Sequence, residues 1–227
     1  MNNIVNKLKK KSYVNFLMNI AIALVGVAFV GFGIAFNSAA MLGNDAVAIL
    51  YDGVRNVCGF ELSKLGIITN VVNYSVIIVA LILNRKYINI GTFIYTIPMG
   101  NFVSIGSKIH DYMNFPNILE WRILSSVLGC SMTFLGIGIF IAVNIGFDPF
   151  TSIHMIVRDR INSQFKTARV ICDIISVSVG FLLGGKLGIV TVVAALVGGP
   201  SIQFVSEFFK KSVLIHVGSD KSNILEY

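Results

Sequence analysis

Long apolar stretches alternate with short polar ones along almost the whole chain. The apolar stretches fall at about 14–36, 65–83, 88–107, 123–145, 168–184 and 187–206. Each crosses, or nearly crosses, the hydrocarbon of a bilayer as a helix of about 20 residues. Two shorter and more polar segments, about 44–57 and 148–160, lie between them. As helix, the ten steps from Asp148 to Arg158 rise only about 15 Å, half a bilayer. The pattern predicts an all-α, polytopic transmembrane helix bundle.

The same polar marks occur twice, in the same order. Gly31 and Gly33 match Gly136 and Gly138; Gly43, Asp45 and Arg55 match Gly146, Asp148 and Arg158. Asn70 and Asn73 then match Asp173 and Ser176, and Thr92 and Gly100 match Thr191 and Gly199. Shared apolar composition does not readily produce ordered Gly, Asp and Arg. The chain therefore reads as two sequence-similar halves, each with three long helices and one short polar helix. The expected divisions are a basic amino terminus at 1–12, a first repeat at 13–107, a connecting loop at 108–120, a second repeat at 121–208 and a polar tail at 209–227. Duplicated halves place binding sites between the repeats in transporters; duplication is also an economical way to build a bundle.

Relative orientation depends on the short segments. If they cross the bilayer, the halves are parallel, and only Arg85, Lys86 and Lys186 fall outside. If they do not cross, the halves are inverted; Arg55, Lys64, Lys108 and Arg122 move out, and Arg85 and Lys86 move in. The cation count favours the parallel arrangement. The shortness of the segments argues the other way.

Composition agrees with a membrane protein. Of 227 residues, 55% are hydrophobic and 13% charged, against about 25% charged in soluble domains. The net charge of +7 is carried at the ends of apolar runs, which is the positive-inside pattern rather than a nucleic-acid-binding face. KLKKK before a long first apolar run reads as a retained first helix rather than a cleaved signal peptide. Cys58, Cys130 and Cys172 are scattered, with no zinc or disulfide spacing. No phosphate-binding glycine loop, HExxH or GxSxG occurs, so neither an enzyme nor a cofactor is expected. The expected partners are the lipid bilayer, a small solute with a coupling ion, and a second copy of the chain.

Within this framework a few polar residues are candidates for a solute or ion pathway. Asp148 precedes Pro149, the order of a helix N-cap followed by proline at the first position; Asp45 occupies the matching place. Each is either a cap or a carboxylate at a helix start facing a central cavity. Asn70, Asn73 and Tyr74 share one helix face, and Asp173 and Ser176 form the matching face. Asp173 lies among apolar residues one turn after Arg169, either paired with it or lining a cavity as a proton or cation site. His154, six residues past Asp148, is either structural or a proton relay. Arg55, Arg158 and Arg160 read as topology anchors. Ser176, Gly180 and Gly184, spaced by four, and Ala195 with Gly199 are small-residue packing marks. Gly198-Gly199-Pro200 is expected to break or kink the last helix, with Gly100-Asn101 as its counterpart.

The run GFDPFTSIHMIVRDR, followed by GGKLGIVTVVAALVGGPSIQFV, resembles the YczE/YyaS/YitT group of bacterial integral membrane proteins, and most of all its YczE branch. Gly146, Pro149, Phe150, His154, Gly188, Thr191, Gly199 and Pro200 stand at that branch's positions. Phe150 replaces the more usual Trp, and Asp148 precedes the proline where the group often has Asp after the aromatic residue. The resemblance is strongest over 121–210 and looser over 14–107. It implies a multi-pass protein of the bacterial cytoplasmic membrane and little about activity.

Overall fold

The computed structural model describes residues 2–214, with side chains described from Val14 to Ser212. The side chains of the basic amino-terminal segment and residues 215–227 of the expected tail lie outside the described residues.

Among the described residues the regular structure is all helical. The helices are α1 (Asn2–Ala40), α2 (Ala46–Val57), α3 (Leu65–Asn84), α4 (Ile90–Met113), α5 (Leu119–Val143), α6 (Pro149–Ile161), α7 (Phe165–Leu182) and α8 (Ile189–Phe209). Short 3-10 turns precede and follow α3, and a π-helical turn, Lys210–Leu214, follows α8. Four helical stretches, Val14–Ala40, Leu62–Tyr87, Leu119–Val143 and Ile189–Ser212, are long and apolar enough to cross a membrane. This is the build of a membrane protein. α4 is long but interrupted by polar side chains and Pro98, and α7 carries Lys166, Arg169 and Asp173.

Glycine contacts set the helix directions. Gly26 faces Gly136 and Gly33 faces Gly129; at each, an added Cβ would fall under 3.0 Å from the opposite backbone. α1 and α5 therefore touch backbone to backbone and run antiparallel, as small residues allow. Gly31 meets Phe102 while Gly106 meets Phe32 and Ala35, so α1 and α4 are parallel. By the same reasoning α3 opposes α4, and α8 follows α5.

The antiparallel pairing of α1 with α5 overturns the parallel arrangement of the matched segments. The physical reason is the one their length gave: α2 and α6 are only 12 and 13 residues long, too short to cross and reverse the chain. The cation rule is still obeyed. Arg85, Lys86, Arg158, Arg160, Lys166, Lys210 and Lys211 gather at the end where α1 begins, and Arg55, Lys64, Lys108, Arg122 and Lys186 at the other.

Of the break or kink expected in the last helix, the break does not occur. α8 is continuous through Pro200, and α4 through Gly100-Asn101. Proline withdraws a single N–H donor, and the surrounding turns carry on. Gly199 is not a packing residue either: it faces open space, while Gly198 is the one seated against Phe134 of α5. Gly184 lies beyond the end of α7, at φ +88°, as a turn residue.

The loops entering the short helices are held by reciprocal contacts. Gly43 has φ +100° and sits against Gly188 and Thr191; Gly146 has φ +147° and sits against Asn89 and Gly91. The Val190 N–H donates to the Leu42 carbonyl at 3.1 Å. The Thr92 hydroxyl donates to the Phe147 carbonyl at 2.7 Å. Each loop thus rests on the helix start belonging to the other half of the chain. Both positions combine a left-handed backbone with no room for a side chain, the two conditions that select glycine.

Candidate functional site

The two short helices begin inside the bundle. Oδ1 of Asp45 accepts hydrogen bonds from the N–H groups of Val47 and Ala48, at 3.0 and 3.1 Å. Oδ1 of Asp148 accepts from Phe150 and Thr151, both at 3.1 Å, with Pro149 at the first helical position. Both carboxylates are N-caps. The rings of Tyr51 and Phe150, one from each short helix, meet edge to face at 6.0 Å. The charges of Asp45 and Asp148 both reach Asp173.

The Asp173 carboxylate binds its own helix partner, Arg169 Nε, at 3.5 Å, and its other oxygen lies 4.0 Å from His154 Nε2. Asp173 and Arg169 are one-third and two-fifths exposed, whereas the His154 side chain is 7% exposed. Nδ1 of His154 has no hydrogen-bond partner, and its ring leans edge-on against Phe165. Ser176 lies one turn beyond Asp173, half-buried. The asparagines play another part. Asn70 Oδ1 accepts the Gly100 N–H at 2.9 Å and ties α3 to α4. Asn73 is fully buried and accepts the Tyr51 hydroxyl at 2.8 Å, tying α3 to α2. Gly180 lets α7 rest on the backbone of Ile49 and Leu50. The structure therefore brings Asp173 and His154 together, spends Asp45 and Asp148 on capping the short helices and uses Asn70 and Asn73 as struts.

A second polar region lies nearer the surface. A cavity of about 260 Å³ opens beside α1, α2 and the loop after α7. Its floor holds the buried Asn37, Ser38, Gly43 and Asp52, and its rim the exposed Glu61 and Lys186. The Ser38 hydroxyl donates to Asp52 Oδ2 at 3.0 Å, and Arg55 Nε lies 3.5 Å from Asp52 Oδ1. Arg55, expected only as a topology anchor, is thus a wall residue. Asp52 and Glu61 join it as residues with no expected role, and Lys186 as one expected only to report topology. The available signal was Asp52 itself, a carboxylate three residues before Arg55 in an otherwise apolar helix face.

The far end of α6 is filled instead. The buried Tyr87 donates to Asp159 and accepts from Arg158 Nη2 at 3.2 Å. Arg158 also binds Asp159 at 2.7 Å, and the Lys86 ammonium stands 5.2 Å over the Tyr87 ring. Ala80, Met155 and Ile156 pack beneath, with Phe147 and Phe165 against them. The Tyr87 hydrogen bond, followed by that of Arg158, holds the Asp159 carboxyl below its ordinary range. No three His, Cys, Asp or Glu side chains among the described residues are grouped to hold a metal ion.

A family model described as a family of unknown function (DUF6198) matches residues 17–207. The chain belongs to the DUF6198 family. The match covers both short helices, the charged cavity and the Tyr87 cluster of this DUF6198 protein. No curated protein and no solved structure matches the chain.

Proposed function

We propose that this protein is a multi-pass transporter of a small solute in a bacterial cytoplasmic membrane, built from two sequence-similar halves of inverted orientation. The reading carries no catalytic step and no resident cofactor. The observation behind it is the inequality of the two ends: α2 leads to a charged cavity of about 260 Å³, while the matching end of α6 is filled by Tyr87, Asp159 and Arg158. A path entered at one end and stopped at the other is what alternating access between inverted halves calls for. The cation-rich end faces the cytoplasm under the positive-inside rule, so the cavity faces outward. The reciprocal seating of Gly43 and Gly146 and the resemblance to the YczE branch support the paired halves and the bacterial setting. Asp173 and His154 stand between the two ends as the groups for a coupling ion; charges kept inside a membrane protein are costly and are retained for such work.

The reading is tested by reconstituting the protein in liposomes and screening for solute uptake against Asp173→Asn. Uptake above empty liposomes that the variant loses is the expected result; no uptake of any solute retires transport. A second reading, a non-transporting factor that supports another membrane or secretion complex, is favoured by one observation: the carboxylates of Asp45 and Asp148 are bonded to N–H groups of their own helices.

A further inference from the structure

The charge inventory of the outward cavity is specific. Two carboxylates, Asp52 and Glu61, and two cations, Arg55 and Lys186, line it. Opposite charges in a confined site normally find each other. Here they do so only loosely. Asp52 and Arg55 approach no closer than 3.5 Å. Arg55 directs Nη1 to the Phe60 carbonyl at 2.7 Å. Among the described residues Glu61 makes no ion pair, and Lys186 reaches only the Met41 sulfur, at 3.3 Å. Lys186 nonetheless lies close enough for its charge to act on Asp52.

From this arrangement we propose that the cavity binds a small zwitterion of the amino-acid class, its carboxylate directed to Arg55 and Lys186 and its ammonium to Asp52 and Glu61. A ligand of one charge would be attracted by two of the charged side chains and opposed by the other two, which is unfavourable. A zwitterion satisfies both halves. The size agrees: about 260 Å³ falls just below the roughly 300–1,000 Å³ of sites for drug-sized molecules. Asn56, whose amide donates to the Gly184 carbonyl at 2.5 Å, fastens α2 to the loop that carries Lys186, so both sets of charges are held on a common frame.

The proposal takes its substrate class from the transport reading, yet binding and transport fail separately. The full-length protein in nanodiscs is titrated with common amino acids one at a time, and with propionate and ethylamine, which keep one charge of alanine each. Thermal unfolding is the readout. At about 100 times its dissociation constant a ligand raises the midpoint by roughly 5 °C, and at least one amino acid is expected to do so while both single-charge probes do not. Lys186→Met, at an exposed position, is expected to weaken that binding at least about tenfold, with Lys186→Arg restoring it; Asp52→Asn tests the ammonium side. Propionate or ethylamine matching the best amino acid overturns the proposal, as does a midpoint that no amino acid moves. Zwitterion binding without uptake in liposomes upholds the site and retires transport. Uptake unaffected by Lys186→Met retires the site.

Discussion

Asp173 and Arg169, one turn apart on α7, form an ion pair at 3.5 Å whose carboxylate also stands 4.0 Å from the buried His154 ring. Of the two readings of Asp173 that its sequence context left open, the pair is the helix partner at i, i+4. Asp173→Asn removes the charge and keeps the shape. Because the pair is partly exposed, its loss is expected to lower stability by only about 1 kcal/mol or less. Solute uptake is expected to fall at least tenfold. Size-exclusion profile and uptake, measured on the same preparation, check both.

Gly43→Ala and Gly146→Ala should each destabilise the fold by about 1–3 kcal/mol, because a left-handed backbone and a clash coincide. A Cβ at Gly43 would meet the Thr191 hydroxyl at 2.6 Å, and one at Gly146 would collide with the Asn89 carboxamide. Gly199→Ala, which points into open space, is expected to be neutral or slightly stabilising, as alanine favours helix. Thermal midpoints of the three variants give the comparison.

Tyr51→Phe deletes the 2.8 Å bond to Asn73. Asn73 is fully buried and its Nδ2 already has no partner, so the substitution leaves the entire carboxamide unbonded. A loss of about 1–3 kcal/mol is expected. Restoration by the further change Asn73→Leu would show that the unmet amide, rather than lost packing, is the cause.

The Tyr87–Asp159–Arg158 cluster should loosen in acid. The Asp159 carboxyl titrates below its ordinary range through Tyr87 and then Arg158. Its contribution is therefore complete above the unfolded carboxylate value and disappears as pH falls through the lowered folded value. The gap in thermal midpoint between the protein and Asp159→Asn is expected to be largest near neutral pH and to close over that acid range.

Reporter fusions after Arg55 and Lys108 are expected to report outside, and fusions after Lys86 and Arg160 inside. A cytoplasmic signal after Lys108 would contradict the antiparallel course of α1 and α5 seen in the Gly26–Gly136 and Gly33–Gly129 contacts.

The sequence by itself determined the helices and their caps. Apolar run length located the six long helices, although α1 reaches back to Asn2 and α4 on to Met113, and the Asp-Pro order located the start of α6, because backbone satisfaction is a local matter. It also offered the Arg169–Asp173 pair as one of two readings, since that pair needs only a helical spacing. Tertiary structure alone decided the direction of α5 against α1. That direction follows from how far α2 and α6 travel, and cation counts satisfy the positive-inside rule in either arrangement. Tertiary structure also decided that Asn70 and Asn73 are struts and that Asp52, Glu61, Arg55 and Lys186 share one cavity. Lys186 stands more than a hundred residues from the other three in the chain, and no local pattern carries such a meeting. The packing of α7 on α2, through Gly180 and the Asn56 bond to Gly184, and the seating of Gly43 against Gly188 bring the lysine to that opening.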